Sequence, residues 1–332
     1  MEEQSLFPNP PTDLPPQASR LAPKLRGLAD RRVYFGTSSW KYEGWLGTIY
    51  NGDRYQTRGK LSKAKFEQDC LAEYAKTFPT VCGDLTFYQF PSVQYWAKLF
   101  DATPKHFIFG FKVPEDITVE TWPKHARYGK RAGLANEHFL NAQALEQFFT
   151  SRLKPYGKQV GPLIFEFGTF NKKTFPTSAD FLTALDPFLK SLPEGFRYAI
   201  EIRNEEYLTP DYLSVLASHN VAHALNAWTR MPSLDHQAQL PGILTADFTV
   251  VRALLRKYRP YEKAVETFEP YDRIQEVNEG ARDGMRLIAQ RAMHERKDAF
   301  LFVNNRLEGN APSTIEAVLE RLDGGIAHGP PF

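Results

Sequence analysis

Acidic and basic side chains follow several of the short apolar runs in this 332-residue chain. Three carboxylates and three cationic side chains stand at such positions: Asp84, Glu166, Glu201, Lys112, Arg203 and Arg252. A carboxylate can accept or donate a proton, and a guanidinium binds phosphate or carboxylate in a bidentate manner. Because an unpaired buried charge is costly, we expect these six side chains to meet in one place.

Glu201 and Arg203 are the best pair for chemistry, because residues two apart on a strand share one face. We expect Glu201 to be a general base with Glu166 as its partner. Arg203, Arg252 and Lys112 are expected to hold the anion, and Asp84 is a further expected ligand-binding residue. This set points to hydrolase- or lyase-type acid–base chemistry on an anionic, phosphate-bearing ligand. An internal salt bridge that only fixes the fold is the alternative for the Glu201–Arg203 pair.

Six further residues are expected to shape the ligand pocket. They are Trp40, Ser38, Tyr88, Asn226, Asn304 and Asn305. Each stands at the end of an apolar run or shortly after it. Hydroxyl and amide groups at such positions can hydrogen-bond to a polar ligand, and aromatic rings can enclose it.

These residues need elements that bring the run ends together. The apolar runs predict eight strands, at 33–37, 81–87, 107–112, 163–167, 198–202, 221–226, 248–252 and 299–303. Helical periodicity predicts helices at 62–78, 93–100, 137–153, 178–192, 210–218 and 272–293, and one that opens at Pro312. The segment 228–242 shows no clear helix.

The alternation of strands and helices fits a single (β/α)8 barrel of the TIM type. A doubly wound open sheet is the main alternative, since alternation alone does not distinguish the two. Active sites of such barrels lie at the carboxyl ends of the strands, where the six charged residues are expected. Alternate strand residues should face inward, so Ile108, Gly110 and Lys112 are predicted inside and the neighbouring Phe109 and Phe111 outside.

The N-terminal 30 residues look different from the rest. Six prolines interrupt any periodic pattern there, so residues 1–30 are predicted to form a flexible, extended tail. A tail that docks on the body or on a partner is the alternative. Residues 31–332 are predicted to form one barrel domain.

Composition excludes several classes of protein. No run of eighteen apolar residues occurs, so no membrane span is expected. The acidic N-terminus does not resemble a secretory signal, and Cys70 and Cys82 alone cannot form a disulfide framework. A soluble, reduced, cytoplasmic protein is therefore expected. No glycine fingerprint for a dinucleotide or phosphate loop identifies a cofactor.

A metal site is not expected, because none of the eight histidines falls at a predicted strand end. A metal held by Asp84, Glu166 and Glu201 remains the alternative use of the three carboxylates. We expect these acids to have a structural or electrostatic role instead.

Seven blocks of residues follow one another along the chain. They are Gly36-Thr37-Ser38-Ser39-Trp40 with Tyr42, Trp45 and Tyr50; Thr86-Phe87-Tyr88 with Pro91; Thr103-Pro104 with Phe107, Phe109, Lys112, Pro114, Ile117 and Thr118; Gly161-Pro162-Leu163; Ala199-Ile200-Glu201-Ile202-Arg203; Arg252; and Asn304-Asn305 with Gly309, Ala311 and Pro312. In this order they resemble the YecE-like family, which is catalogued as domain of unknown function 72. The resemblance implies a TIM-type barrel. The activity of the family is not established, so the resemblance implies a site but no reaction.

The chain also departs from the family pattern. Cys82 stands where a Glu is usual, Asp84 where an Asn is common, Glu166 near a usual Gln, Gly168 near a usual Pro, and Asn204 near a usual His. Ala253-Leu254-Leu255 replaces a common His-Gly pair after Arg252. If those family residues are catalytic, this chain is a divergent branch with a different substrate, or an inactive one.

Three predicted loops, at 41–60, 121–131 and 252–263, interleave basic residues with aromatic ones. They carry thirteen Lys and Arg against three acidic residues, whereas the whole chain has a net charge of only +2. A basic face of +10 on an acidic body would steer anions towards one end. We therefore expect an anionic small molecule or nucleotide as partner. A non-catalytic protein that binds single-stranded nucleic acid through these loops is the alternative.

Overall fold

The computed structural model describes residues 13–325. Eight parallel strands close into a barrel in which each strand pairs with the next along the chain and the last pairs with the first. They are β1 (Val33–Thr37), β2 (Thr80–Gly83), β3 (Ile108–Lys112), β4 (Val160–Glu166), β5 (Arg197–Glu201), β6 (Ala222–Ala227), β7 (Phe248–Ala253) and β8 (Asp298–Val303). The (β/α)8 prediction is confirmed, and closure excludes the open sheet.

Helices pack around this barrel. They are α1 (Pro16–Asp30), α2 (Lys63–Tyr74), α3 (Val93–Asp101), α4 (Glu115–Thr118), α5 (Ala142–Leu145), α6 (Ser151–Leu153), α7 (Ser178–Lys190), α8 (Pro210–Ser218), α9 (Leu234–Ala238), α10 (Tyr261–Phe268), α11 (Glu279–Glu295), α12 (Asn305–Glu308) and α13 (Ala311–Gly325). A π-helical turn, Glu146–Thr150, joins α5 to α6. In residues 13–325, no helix has the length and apolar character needed to cross a bilayer.

Capping side chains explain where the predicted boundaries were inaccurate. Asn141 accepts a hydrogen bond from the backbone of Ala144, so the helix predicted from residue 137 begins at Ala142 instead. Asn278 caps α11 in the same way, which places its start after residue 272. The strand predicted over 81–87 ends at Gly83, and Asp84–Thr86 forms a 3-10 turn.

The prediction of a flexible tail is wrong for residues 16–30, which form helix α1. Pro16 occupies the first helical turn, where a missing N–H costs nothing, and Pro23 lies on the exposed side. Ala18, Leu21, Leu25 and Ala29 form a buried stripe at helical spacing. The prolines concealed this stripe in the sequence. Residues 1–12 of the predicted tail lie outside the described residues.

The predicted alternation of strand residues is confirmed. Phe109 and Phe111 face the surrounding helices, where Phe100 and Trp96 of α3 contact them edge-on. Ser92 caps α3 and so directs this apolar face onto the barrel. Inside the barrel, one apolar cluster contains Cys82, Ile164, Ala199, Ala224, Val250 and Phe302.

The interior changes character at the carboxyl end of the barrel. One inward position beyond the apolar cluster, β3 to β7 carry Lys112, Glu166, Glu201, Asn226 and Arg252. All five side chains are buried. The strand pleat that fills the barrel with apolar groups therefore also gathers polar groups in its uppermost interior layer.

Candidate functional site

The six charged residues predicted to meet form one ion-pair cluster at the carboxyl ends of the strands. Lys112 contacts Asp84 and Glu166, Arg203 contacts Glu166 and Glu201, and Arg252 contacts all three acids. With all six groups ionised, the cluster carries three positive and three negative charges. We call it the mouth cluster.

Glu166 and Glu201 are two neighbouring negative charges whose repulsion the cations of the mouth cluster offset. They are register partners on the neighbouring strands β4 and β5. Like charges directly opposite each other in a sheet repel. The Arg252 guanidinium donates through Nη1 to both carboxylates, with 2.5 Å to Glu166 Oε2. Arg203 Nη2 lies 2.9 Å from Glu166 and 3.2 Å from Glu201, so both acids share two guanidiniums.

These contacts shift the pKa values of the buried partners. Burial alone would raise the pKa of Glu166, but Arg203, Lys112 and Arg252 outweigh it and hold that pKa well below its ordinary value. Burial would lower the pKa of Arg252, whereas Glu201 and Glu166 raise it well above the ordinary value. Both groups are therefore ionised at neutral pH.

Asp84 is the loosest member of the mouth cluster. Its carboxylate lies 3.4 Å from Arg252 Nη2, at the long limit of a hydrogen bond. It lies 3.8 Å from Lys112 Nζ, which is beyond that limit. Its side chain is 38% exposed, whereas those of Glu166 and Arg252 are almost completely buried. Lys112 Nζ lies 3.0 Å from Glu166 and 3.7 Å from the centre of the Phe87 ring.

Several buried polar atoms at the same end of the barrel have no hydrogen-bond partner in residues 13–325. They are Ser38 Oγ, Trp40 Nε1, Asn226 Oδ1, Arg252 Nε and Asn305 Nδ2. Four of these residues were predicted to shape the pocket and one to hold the anion. Buried polar groups are normally satisfied, so unpaired donors and an acceptor beside the strand ends indicate a place for a polar ligand or for water.

Two predicted pocket residues have other environments. Asn304 is buried and uses its side chain to accept a hydrogen bond from the backbone of Arg306, so it caps α12. Tyr88 is 53% exposed and lies beside Arg127, whose guanidinium stands 4.4 Å from the centre of its ring. Tyr88 therefore belongs to the outer rim rather than to the buried layer.

The three acids of the mouth cluster contact cations rather than forming an arrangement of metal ligands. Each of them lies within 4 Å of Lys112 or Arg252. Within the described ranges, no group of three or more His, Cys, Asp or Glu residues is placed to hold a metal ion. Each of the three carboxylates therefore has a neighbouring cation that offsets its charge.

Trp228, which directly follows β6, is a further residue of this end of the barrel that was not predicted. The Arg203 guanidinium lies 3.7 Å from the centre of its ring, in a cation–π contact. Trp228 also lines a cavity of about 300 Å3. This cavity lies between the segment after β6, the segment after β7 and the start of α11. An aromatic residue immediately after a strand end was the available signal, but 228–242 lacked a clear element.

The three loops 41–60, 121–131 and 252–263 form the rim of the barrel mouth and carry thirteen basic residues. Their net charge of +10 overstates the excess of positive charge at the rim. Seven of the thirteen have acidic partners that lie outside the three loops. The pairs are Arg54 with Asp13 and Glu73, Arg131 with Asp116, Arg252 with the mouth cluster, Arg256 and Arg259 with Glu276, Lys257 with Glu205, and Lys263 with Glu266. These partners lie in other parts of the sequence, so the loops alone do not determine the net charge at this end of the barrel.

The lowered pKa of Glu166 predicts how stability depends on pH. A carboxyl group whose pKa is lower in the folded state contributes stability above its unfolded pKa, and this contribution is lost as pH falls towards the folded value. When the pH is below the ordinary Glu pKa of 4.5, we expect protonation linked to Glu166 to lower the stability of the folded state by up to about 1.4 kcal/mol per pH unit. Urea denaturation at successive pH values should show a shallower acid slope for Glu166→Gln. Equal slopes for the two proteins would contradict the ion pairing.

Comparisons with known proteins agree with this architecture. UPF0759 protein YecE from Escherichia coli (strain K12) is 23% identical over 176 residues, which are 53% of this chain and 50% of that protein. The chain thus spans about half the length of the curated relatives it matches.

Solved structures show the same fold. A DUF72 family protein from Thermotoga maritima MSB8 has a TM-score of 0.55 and 18% identity, with 89% of this chain and 99% of that chain covered. A second, from Enterococcus faecalis V583, has a TM-score of 0.55 and 16% identity, with 88% and 95% covered. The model of the protein family of unknown function DUF72 matches residues 34–330, from the first barrel strand through the last helix. The resemblance seen in the sequence is confirmed, and the chain belongs to the DUF72 family.

Proposed function

We propose that the mouth of the barrel binds a small anionic, phosphate-bearing molecule whose anionic group replaces the Asp84 carboxylate. The observation that carries this proposal is the length of the contacts between Asp84 and its two cations. Its oxygen lies 3.4–3.8 Å from two cations that Glu166 contacts at 2.5–3.0 Å. An anion that forms shorter, charge-assisted hydrogen bonds with Lys112 and Arg252 would interact with them more strongly than Asp84 does.

The donors around this place suit an oxyanion. Lys112 Nζ carries three N–H groups, and Arg252 Nε is buried without a partner among the described residues. Trp40 Nε1, Ser38 Oγ and Asn305 Nδ2 add unpaired donors at the same end of the barrel. Displacement of Asp84 also leaves the rest of the mouth cluster with one surplus positive charge, which favours an anionic ligand.

The acid–base role predicted for Glu201 and Glu166 depends on this binding step. Both Glu201 oxygens accept hydrogen bonds from guanidiniums, Oε1 from Arg203 and Oε2 from Arg252. A general base needs direct reach to the proton that it removes. Glu201 can act as base in a hydrolase or lyase only when the ligand draws Arg203 away from Oε1. The geometry therefore supports anion binding more directly than it supports catalysis.

Lys112→Met should weaken the binding of inorganic phosphate by about tenfold or more, because a hydrogen bond to a charged group contributes about 1.5–3 kcal/mol. Isothermal titration calorimetry at low ionic strength measures this affinity. Lys124→Met is the matched control, since Lys124 is exposed in the loop after β3. We expect the control to bind phosphate like the unaltered protein. Equal affinities for both variants, or no phosphate binding by the unaltered protein, would refute the proposal.

A second candidate function is the binding of single-stranded nucleic acid by the rim. Basic side chains lie over aromatic rings there: Arg127 is 4.4 Å from the centre of Tyr88, Arg131 is 4.1 Å from that of Trp122, and Lys257 is 5.3 Å from that of Tyr258. Tyr88 and Tyr258 are both well exposed. Exposed rings beside cations are the usual platform for unpaired bases.

Tyr88→Ala should weaken the binding of an oligothymidylate by about fivefold or more, the effect of losing one stacked base. Fluorescence anisotropy with a labelled oligonucleotide measures the affinity, which should also fall steeply with salt. Lys158→Ala, which alters an exposed lysine at the opposite end of the barrel, should change nothing. If the unaltered protein does not bind the oligonucleotide at low salt, this second function is rejected.

A further inference from the structure

The cavity of about 300 Å3 beside Trp228 is lined by both apolar and polar side chains. Its apolar wall is made by Met231, Leu234, Leu255 and Ala281, all buried. Its polar edge is made by Ser233, Arg256, Lys257, Asn278 and Glu279. Ligand sites usually combine such an apolar wall with a few polar groups, and the volume lies at the lower end of their range. A single ring system is the size of group that it can hold.

The walls of this cavity are held together by backbone hydrogen bonds. Leu255 N donates to Ala227 O, and Tyr258 N donates to Thr229 O. These bonds tie the segment after β7 to the segment after β6. The cavity is therefore a fixed feature between two barrel loops, and a ring could enter it without a rearrangement of the backbone.

Trp228 connects this cavity to the mouth cluster. Its indole lines the cavity, and the Arg203 guanidinium lies 3.7 Å from the centre of the same ring. Arg203 in turn contacts Glu166 and Glu201. Trp228 is therefore shared by the lining of the cavity and by the contacts of the mouth cluster.

We propose that this cavity receives a planar aromatic or heteroaromatic ring of the anionic ligand, which makes the ligand class a ring-bearing phosphate such as a nucleotide. The inference rests on the proposed anion binding at the mouth cluster. Stacking on the indole and burial against the apolar wall supply the ring's affinity.

A second cavity, of about 360 Å3, lies on the opposite side of the rim and provides a control. It is lined by the segments after β3 and β4, including Trp122, Lys124 and Thr169. The cation over Trp122 is Arg131, which pairs with Asp116 instead of with the mouth cluster. This cavity therefore lacks the connection that Trp228 gives to the first one.

The test compares three probes by calorimetry: inorganic phosphate, ribose 5-phosphate and adenosine 5′-monophosphate. We expect adenosine 5′-monophosphate to bind about tenfold more tightly than ribose 5-phosphate, because only the former carries a ring that can stack. Ser233→Trp fills the first cavity, and Ser233 is exposed and makes no capping hydrogen bond. This variant should lose the tenfold preference and still bind ribose 5-phosphate normally. Thr169→Trp, in the second cavity, should keep the preference.

Each failure has a distinct meaning. Equal affinities of the unaltered protein for adenosine 5′-monophosphate and ribose 5-phosphate would overturn the ring site and leave the proposed anion binding intact. A preference that survives in Ser233→Trp, or that disappears in Thr169→Trp, would overturn the assignment to this cavity. If none of the three probes binds, the proposed anion binding fails, and the ring site fails with it.

Discussion

Glu201→Gln is expected to lower the free energy of unfolding by about 3–5 kcal/mol, the usual cost of removing one partner from a buried ion pair. Glu201 is completely buried and accepts hydrogen bonds from both Arg203 and Arg252. The neutral amide has nearly the same shape, so the loss reflects charge rather than packing. The buried Arg252 and the partly buried Arg203 would then share the remaining carboxylates. Urea denaturation at neutral pH measures the change.

Glu205→Gln is the matched control for this prediction. Glu205 lies four residues further on, is exposed, and stands 3.8 Å from Lys257. Exposed pairs of this kind contribute about 0–1 kcal/mol. If Glu201→Gln were no more destabilising than Glu205→Gln, the mouth cluster would not be held by buried ion pairs.

The second large effect is the coupling between Arg252 and Glu201. Arg252→Met alone should cost about 3–5 kcal/mol, because it leaves Glu166 and Glu201 opposite each other with one guanidinium fewer. Combined with Glu201→Gln, it should cost at least about 1.5 kcal/mol less than the sum of the single changes. The double variant removes a charge of each sign, so the mouth cluster remains neutral.

A double-mutant cycle of unfolding free energies measures this coupling. The control cycle pairs Arg252→Met with Asp186→Asn, since Asp186 contacts His219 at the surface and shares no partner with Arg252. Changes without shared partners should add within about 0.5 kcal/mol. Additive effects for Arg252 and Glu201 would show that the two side chains do not interact in solution.

The strand layout and the mouth cluster could be predicted because both follow from a period of two. Apolar runs marked the strands, and alternation placed Lys112, Glu166 and Glu201 on the inward face. The cost of unpaired buried charge then required these groups to meet. Two elementary rules thus led from the sequence to the correct six residues.

What could not be predicted depends on contacts between distant segments. The acidic partners of the rim cations, such as Asp116 for Arg131 and Glu276 for Arg256, lie outside the loops in which the charge was counted. Helix α1 could not be predicted because its prolines interrupt the pattern that contains its buried stripe of Ala18, Leu21 and Leu25. The contact between Arg203 and Trp228 requires the relative positions of β5 and β6, which no local pattern contains.

Asp84 is expected to occupy the place of the ligand's anionic group. The most direct measurement is a crystal structure of the protein soaked in inorganic phosphate. We predict phosphate within hydrogen-bond distance of Lys112 Nζ and the Arg252 guanidinium, with the Asp84 carboxylate turned away from both. A mouth without phosphate, in which Asp84 still lies between Lys112 and Arg252, would contradict the claim.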